Sequence, residues 1–187
     1  MSAEPVSVYL GLGSNVGDRK ENLDKAISFL SQRLRVEKVS SVYDTTPEDN
    51  PDQPRFLNMV GHAYTTLEPQ ALLALVKGIE AKLGRVPTTR YSPRTMDIDI
   101  LFYGKQVIES PTLTVPHARI SERAFVLVPL NEIAPELVHP VSGKTVKQML
   151  AELKQGVQGV FKFVQPCEAG TVEAVKEEVK KNVPDNG

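Results

Sequence analysis

The chain has 187 residues, with 22 lysines and arginines against 23 aspartates and glutamates, so its formal net charge is −1. Hydrophobic residues make up 41% of it, which is enough for a sizeable core and too many for a disordered chain. The balanced charge excludes a basic nucleic-acid-binding arm, and the single cysteine, Cys167, excludes a scaffold built on intrachain disulfides.

These features predict a cytoplasmic protein that acts on small molecules. A signal peptide has a basic segment followed by a long apolar run, and the first residues do not show this pattern. No apolar stretch approaches the roughly 18 residues that a membrane-spanning helix needs. We therefore expect neither a membrane nor a nucleic acid as partner, while the oligomeric state stays open.

The first half of the chain is predicted to alternate strands and helices. A short apolar run closed by glycines indicates a buried strand at 6–12. Apolar residues at helical spacing, after a capping box that starts at Asp18, indicate a helix at 19–34. Further strands are expected at 36–43 and 56–66, and a second helix from Pro69 to Gly84.

The second half begins with a polar, basic loop at 85–95. The predicted elements that follow are a strand at 97–103, a segment at 106–109 that pairs back on it as a hairpin, helices at 121–130 and 144–154, and a strand at 160–164. The order strand, helix, strand, strand, helix, strand is typical of an α+β ferredoxin-like sandwich, with an antiparallel or mixed sheet and helices on one face. Residues 1–165 are expected to form the domain. Residues 166–187 are expected to be a tail, either mobile or a short docked helix.

An acidic pair lies on the strand predicted at 97–103. Residues i and i+2 of a strand share a face, so Asp97 and Asp99 project together while Ile98 and Ile100 face the other way. Neighbouring carboxylates repel each other unless a cation lies between them. Magnesium commonly takes one or two carboxylates and completes its shell with water and phosphates. The pair therefore predicts a magnesium site, with a merely acidic strand face as the alternative.

Basic residues concentrate around this pair. Five of the nine arginines, together with His117, lie between positions 85 and 123: Arg85, Arg90, Arg94, Arg119 and Arg123. A guanidinium group presents a rigid fork of donors that matches phosphate oxygens. Carboxylates together with arginines indicate a magnesium–nucleotide site, whereas surface salt bridges are the alternative for Arg119 and Arg85.

A third group is aromatic and amide. Phe56 and Asn58 share one face of the strand at 56–66, and Phe125 follows the arginines. Two aromatic rings can enclose a flat heterocycle, and an asparagine can recognise its polar edge. Core packing is the alternative for either phenylalanine alone.

Gly11, Gly13 and Gly17 miss the spacing of the dinucleotide-binding fingerprint by one residue.

Taken together, these stretches resemble the 6-hydroxymethyl-7,8-dihydropterin pyrophosphokinase family of folate synthesis. Each stretch is short, but their joint order and spacing between Val8 and about Leu150 are highly specific. They are 11–15 (GLGSN), 43–47 (YDTTP), 53–58 (QPRFLN), 93–100 (PRTMDIDI), 115–117 (VPH) and 122–129 (ERAFVLVP).

The resemblance implies a ferredoxin-like fold and transfer of pyrophosphate from ATP to a pterin hydroxymethyl oxygen, with release of AMP. It implies two magnesium ions bridged by Asp97 and Asp99, which would be catalytic together with Arg94. Phe56 and Phe125 would stack on the pterin, and Asn58, Thr45 and Thr46 would contact its polar edge. The family's ATP-site positions correspond to Glu80, Arg85, Arg90, Arg94, Ile100, Leu113, Thr114, His117 and Arg123.

Some positions depart from other members of that family. Phe56 stands where some have a tyrosine, and Tyr91 replaces a tryptophan on a loop that closes over substrate. Ala118 stands where some place a tyrosine on the phosphates. Two alternative hypotheses for the function are a catalytically silent nucleotide-binding module and a sugar-nucleotide transferase. The paired carboxylates favour an enzyme over the first, and the short chain disfavours the second.

Overall fold

A computed structural model describes residues 3–48, 50–85, 95–153 and 157–164. The predictions for Arg90, Tyr91, Arg94 and the tail at 166–187 lie outside the described residues. Within the described ranges, no helix is both long and apolar enough to cross a membrane.

The described elements form a six-stranded sheet, a two-stranded ladder and four α-helices. The strands are β1 (Val6–Ser14), β2 (Arg35–Val39), β3 (Tyr43–Thr45), β4 (Phe56–Thr65), β5 (Asp97–Tyr103), β6 (Ile108–Glu109), β7 (Thr114–Val115) and β8 (Val160–Lys162). The helices are α1 (Arg19–Ser31), α2 (Pro69–Lys82), α3 (Ala124–Ile133) and α4 (Val146–Glu152). The main sheet has the order β5-β1-β4-β3-β8, with β2 also paired to β4, and all its pairs are antiparallel.

The ferredoxin-like α+β prediction is confirmed, with one difference in the placement of helices. Helices α1 and α2 pack on one face of the sheet through side chains such as Leu30 and Val76. Helices α3 and α4 pack on the opposite face through side chains such as Leu127 and Met149. The expectation of helices on a single face is therefore wrong, because the two later helices cover part of the second face.

Alternation along the central strands separates these two cores. Leu10 of β1 and Ile98 of β5 contact the α1–α2 core, while Val60 of β4 contacts the α3–α4 core. A register shift in the β1–β5 ladder makes Leu101 an extra residue on β5, so that both Leu101 and Phe102 reach the second core. The side chains that precede this bulge keep the alternation predicted from the sequence.

The helix termini follow local rules. The carboxylate of Asp18 accepts a hydrogen bond from the N–H of Glu21, as predicted for the start of α1. Gly84 has a φ of +88° just beyond α2, where a residue with a side chain would be strained. Helix α4 begins after a reciprocal capping box between Thr145 and Gln148.

Two predicted elements differ in the structure. The strand expected at 36–43 is divided into β2 and β3, because the Ser40 hydroxyl accepts the N–H of Val60 and interrupts the ladder. The helix expected at 121–130 is a short 3-10 turn, Ile120–Glu122, followed by α3.

The hairpin predicted between 106–109 and β5 is wrong. Residues of β6 pair with β7 instead. The free edge of β5 takes a different partner, since the carbonyl of Leu101 accepts a hydrogen bond of 3.0 Å from the N–H of His117. This bond anchors the segment that leads into α3.

Candidate active site

The second face of the sheet contains a cavity of about 240 Å³ that α3 and α4 leave uncovered. Its floor follows from the register of three neighbouring strands. Gly13 of β1 lies between Asn58 of β4 and Asp97 of β5, and Gly11 lies between Val60 and Asp99. The two glycines place no side chain on the floor, so they separate an amide and aromatic side from an acidic side. With strands about 4.8 Å apart, these two sides lie roughly 10 Å from each other.

The acidic side consists of Asp97 and Asp99, both of which line the cavity. Burial and the neighbouring charge of Asp97 raise the pKa of Asp99 above its usual range. Arg85 contacts the other carboxylate, with 2.9 Å between its Nη1 and Oδ1 of Asp97. The shared face predicted for the two aspartates is present in the structure.

The amide side is held by a buried hydrogen bond. Nδ2 of Asn58 donates to Oγ1 of Thr45 at 2.7 Å, which orients the amide between β3 and β4. A Cβ atom on Gly13 would lie 2.5 Å from Oδ1 of Asn58, so only glycine permits this position of the amide. Phe56 and Phe125 line the same cavity and are partly exposed, so that a ligand in the cavity can contact their rings.

The cationic side comes from the segment between β7 and α3. His117, Arg119 and Arg123 all line the cavity. Among the described residues, the buried Nε of Arg123 has no hydrogen-bond partner, and its guanidinium lies 5.4 Å from the ring centre of Phe125. A buried N–H without a partner is costly, which makes this group a ready donor for an anionic oxygen.

His117 is a neutral donor in this environment. Burial, Arg123 and Arg119 lower its pKa, against an opposing effect of Asp97. Its Nδ1 accepts the N–H of Arg119 at 3.3 Å, so Nε2 is the ring nitrogen that has the proton.

A buried glutamate supports the acidic side from behind. Oε1 of Glu80 accepts the N–H of Ile98 at 2.8 Å, and Oε2 lies 2.6 Å from Nη1 of Arg85. Because the same arginine contacts Asp97, it connects α2 to β5. Glu80 itself is 2% exposed and does not line the cavity.

The structure brings most, though not all, of the predicted site residues together. Those that line the cavity are Thr45, Thr46, Phe56, Asn58, Asp97, Asp99, His117, Arg123 and Phe125. Ile100 and Leu113 are buried in the α1–α2 core, and Thr114 is exposed on β7, so these three do not line it. Their role at an ATP site stays a prediction, as does that of Arg90 and Arg94.

Several lining residues were not predicted as site residues. Pro47, Glu48, Asn50 and Gln53 come from the loop between β3 and β4. Asn15 holds part of that loop, since its Nδ2 donates to Oε1 of Gln53 at 3.0 Å and to the carbonyl of Pro54 at 3.2 Å. Arg119 forms the predicted surface ion pair, 3.4 Å from Glu122, yet also lines the cavity. The prolines marked this stretch as a loop, but no local pattern indicated where it would fold.

Comparison with known proteins identifies the family. The model of the 7,8-dihydro-6-hydroxymethylpterin-pyrophosphokinase family matches residues 9–135, which include every lining residue of the cavity. The chain belongs to this family. Similar proteins named 2-amino-4-hydroxy-6-hydroxymethyldihydropteridine pyrophosphokinase include one from Aquifex aeolicus, 44% identical over 78% of this chain and 91% of that protein. Another, from Bacillus subtilis, is 42% identical over 83% of this chain and 95% of that protein.

Solved structures give the same fold. The wild-type HPPK-DHPS protein of Plasmodium falciparum matches with a TM-score of 0.65 and 17% identity over 80% of this chain. The match covers 45% of that longer chain, so it bears on the fold of the matched part alone.

Proposed function

We propose that this chain transfers pyrophosphate from ATP to the hydroxymethyl group of 6-hydroxymethyl-7,8-dihydropterin, releasing AMP, in folate biosynthesis. The observation that supports this most directly is the floor of the cavity. Two glycines there separate a hydrogen-bonded amide with aromatic neighbours from a pair of carboxylates with cationic neighbours. A flat, polar heterocycle and a polyphosphate can therefore bind side by side.

The pterin would occupy the amide side. Phe56 and Phe125 would contact the faces of its ring system, since aromatic stacking gains about 0.5–1.5 kcal/mol beyond burial. The amide of Asn58 and the hydroxyl groups of Thr45 and Thr46 would pair with its polar edge. The bond between Asn58 and Thr45 fixes the amide before the ligand arrives, which lowers the entropy lost on binding.

The triphosphate would occupy the acidic and cationic side. The hydroxymethyl oxygen attacks the β-phosphorus, the bond from that phosphorus to the α–β bridging oxygen breaks, and this oxygen leaves with AMP. The hydroxyl proton is released to solvent. Arg123, whose Nε has no hydrogen-bond partner in the described part of the chain, and the Nε2–H of His117 would donate to the phosphate oxygens on which charge develops. We propose that Arg94 acts on the same oxygens.

Magnesium fits the acidic side. Within the described ranges, no group of three His, Cys, Asp or Glu side chains could hold a metal ion. A carboxylate pair alone suits magnesium, which draws its other ligands from water and phosphates. Burial and the neighbouring charge of Asp97 raise the pKa of Asp99, so its carboxylate form is unfavourable and a bound cation would stabilise it. We propose two ions between Asp97 and Asp99, which would neutralise the charge of ATP when bound.

The test is AMP formation from magnesium–ATP with and without 6-hydroxymethyl-7,8-dihydropterin. The proposal predicts AMP only when the pterin is present, in a one-to-one ratio with consumed pterin. Binding of both ligands without AMP would instead favour a silent nucleotide-binding module. We also propose a cytoplasmic location, for which fractionation of the native cells is the measurement.

A further inference from the structure

Arg55 lies outside the cavity and holds β3 and the residue that follows it, Thr46, in place. It precedes Phe56 and does not line the cavity. Its Nε donates to the carboxylate of Asp44, and its Nη1 donates to Oγ1 of Thr46 at 2.9 Å. Its Nη2 donates to the carbonyl of Asp44 at 3.2 Å and to the carbonyl of Gly159 at 3.3 Å. All three guanidinium nitrogens therefore donate to β3, to the residue that follows it, Thr46, or to the segment before β8.

The segment 157–162 contacts the same threonine from the other side. The N–H of Thr46 donates to the carbonyl of Gly159 at 3.0 Å, which extends the β3–β8 ladder by one bond. A Cβ atom on Gly159 would lie 2.6 Å from Oγ1 of Thr46 and 3.1 Å from its Cβ. The close approach at this point therefore requires glycine. This segment lies beyond residue 135, where the match to the family model ends.

The position of Thr45 and Thr46 depends on such support because β3 is only three residues long. So short a strand contributes few ladder bonds of its own, and its position is set by its neighbours. It pairs with β4 on one side and with β8 on the other. Removing the contacts of Arg55 or Gly159 leaves Thr46 held from one side.

We infer that Arg55 and Gly159 are positioning residues of the pterin side. Together they fix Thr45 and Thr46 against Asn58, so a segment outside the matched family region sets the geometry of substrate binding. The inference rests on the proposed function for the identity of the ligand, but the geometry of Thr46 can be tested without it.

Two variants test this inference. Arg55→Lys keeps a positive charge beside Asp44 but lacks the planar fork that reaches three acceptors. Gly159→Ala introduces a side chain where Thr46 lies. We expect each to raise the calorimetric Kd for 6-hydroxymethyl-7,8-dihydropterin, and its KM, by about tenfold, the effect of losing one hydrogen bond. The Kd for ATP and kcat should stay within about twofold, because the acidic side lies on β5, three strands away from β3.

Matched controls are Arg35→Lys and Gly78→Ala. Arg35 lies over the ring of Tyr64 at 4.6 Å on β2, and a Cβ atom on Gly78 would meet nothing within 4 Å. Neither should change pterin affinity. Pterin affinity within twofold of the parent protein in both test variants would overturn the inference.

Amide hydrogen exchange gives a readout that needs no ligand. The Thr46 amide should exchange faster in Arg55→Lys and Gly159→Ala, while amides of the β1–β4 ladder keep their protection. Uniform acceleration across the sheet would contradict a positioning role, because it would indicate a general loss of stability. If the parent protein fails to bind the pterin, the proposed function fails, and Thr46 exchange alone decides the inference.

Discussion

At Gly13, a hydrogen atom in place of a side chain decides where Asn58 can lie. A Cβ atom there would come within 2.5 Å of the amide oxygen. Gly13→Ala should therefore displace the amide, break its bond to Thr45 and weaken pterin binding by about tenfold, as expected for one lost hydrogen bond. Isothermal titration of the pterin is the measurement.

The control for Gly13→Ala is Gly61→Ala on β4. A Cβ atom on Gly61 would meet Val39 at 3.9 Å and Ile27 at 4.0 Å, which are ordinary contacts. This variant should bind the pterin as the parent protein does. Equal affinity in the Gly13 and Gly61 variants would show that the amide is not held as described.

Asp97 and Asp99 are the residues on which turnover should depend most strongly. Asp97→Asn and Asp99→Asn keep the shape of each side chain and remove its charge. We expect kcat to fall by about a hundredfold or more, as for the loss of a major electrostatic contact to the transferring phosphoryl group. The melting temperature of Asp99→Asn should not fall, because burial and the charge of Asp97 outweigh Arg123 and Lys77 and raise the pKa of Asp99, which makes its charged form unfavourable in the folded chain.

Steady-state AMP release and thermal melts measure these two effects. Asp24→Asn on α1 is the matched control: it removes only an exposed ion pair with Lys20, so kcat should be unchanged and the melting temperature nearly so. Near-normal kcat in folded Asp97→Asn and Asp99→Asn would remove the basis for the metal assignment.

Between elements, Glu132 connects α3 to the start of β3. Its carboxylate accepts the Tyr43 hydroxyl, and also the N–H and hydroxyl of Ser41 at 3.0 and 2.7 Å. Burial alone would raise the pKa of Glu132, but these hydrogen bonds outweigh it and lower the pKa below its ordinary value. A carboxyl group whose pKa is lowered on folding stabilises the fold above its unfolded pKa and loses this contribution as the pH falls.

Glu132→Gln should therefore reduce the free energy of unfolding at pH 7 and have a smaller effect near pH 3. The difference at pH 7 should be no more than about 1 kcal/mol, because the side chain is exposed and solvent screens it. Urea titrations at both pH values measure it. Glu109→Gln on β6 is the control, and a Glu132 effect that grows on acidification would have the wrong sign.

The sequence predicted the elements of the central sheet better than their surroundings. Alternation along β4 and β5 placed Asn58 and Phe56 on one face and separated Asp97 from Ile98, since period two is a local property. The bulge at Leu101 and the placement of α3 and α4 on the second face were missed. Both depend on tertiary packing, which no local spacing encodes.

The roles of Gly11 and Gly13 could not be predicted without the register of three neighbouring strands. Their spacing does not match the dinucleotide-binding fingerprint, and only the paired strands of the sheet show that they lie between Asn58 and the aspartates. The contacts of Arg55 with Gly159 join residues 104 positions apart, so they too depend on the fold. Residue types indicated the chemistry, whereas the fold supplied the arrangement.

For the whole chain, the last residues should be dispensable for catalysis. The sequence after Ala169 is rich in lysine and glutamate with only a few valines, and its pattern resembles neither a metal-ligand motif nor a phosphate-binding loop. A chain that ends at Ala169 keeps the segment 157–162 and should retain the parent kcat and pterin affinity. A tenfold loss of turnover in the folded, shortened protein would place part of the site beyond that residue.

The fate of the β-phosphorus of ATP tests the central claim most directly. ATP labelled at that phosphorus is incubated with magnesium, the protein and 6-hydroxymethyl-7,8-dihydropterin, and the products are separated. The account predicts that all transferred label is found in the pterin, with an equal amount of unlabelled AMP. Label recovered in ADP or in free phosphate, with the pterin unmodified, would contradict it.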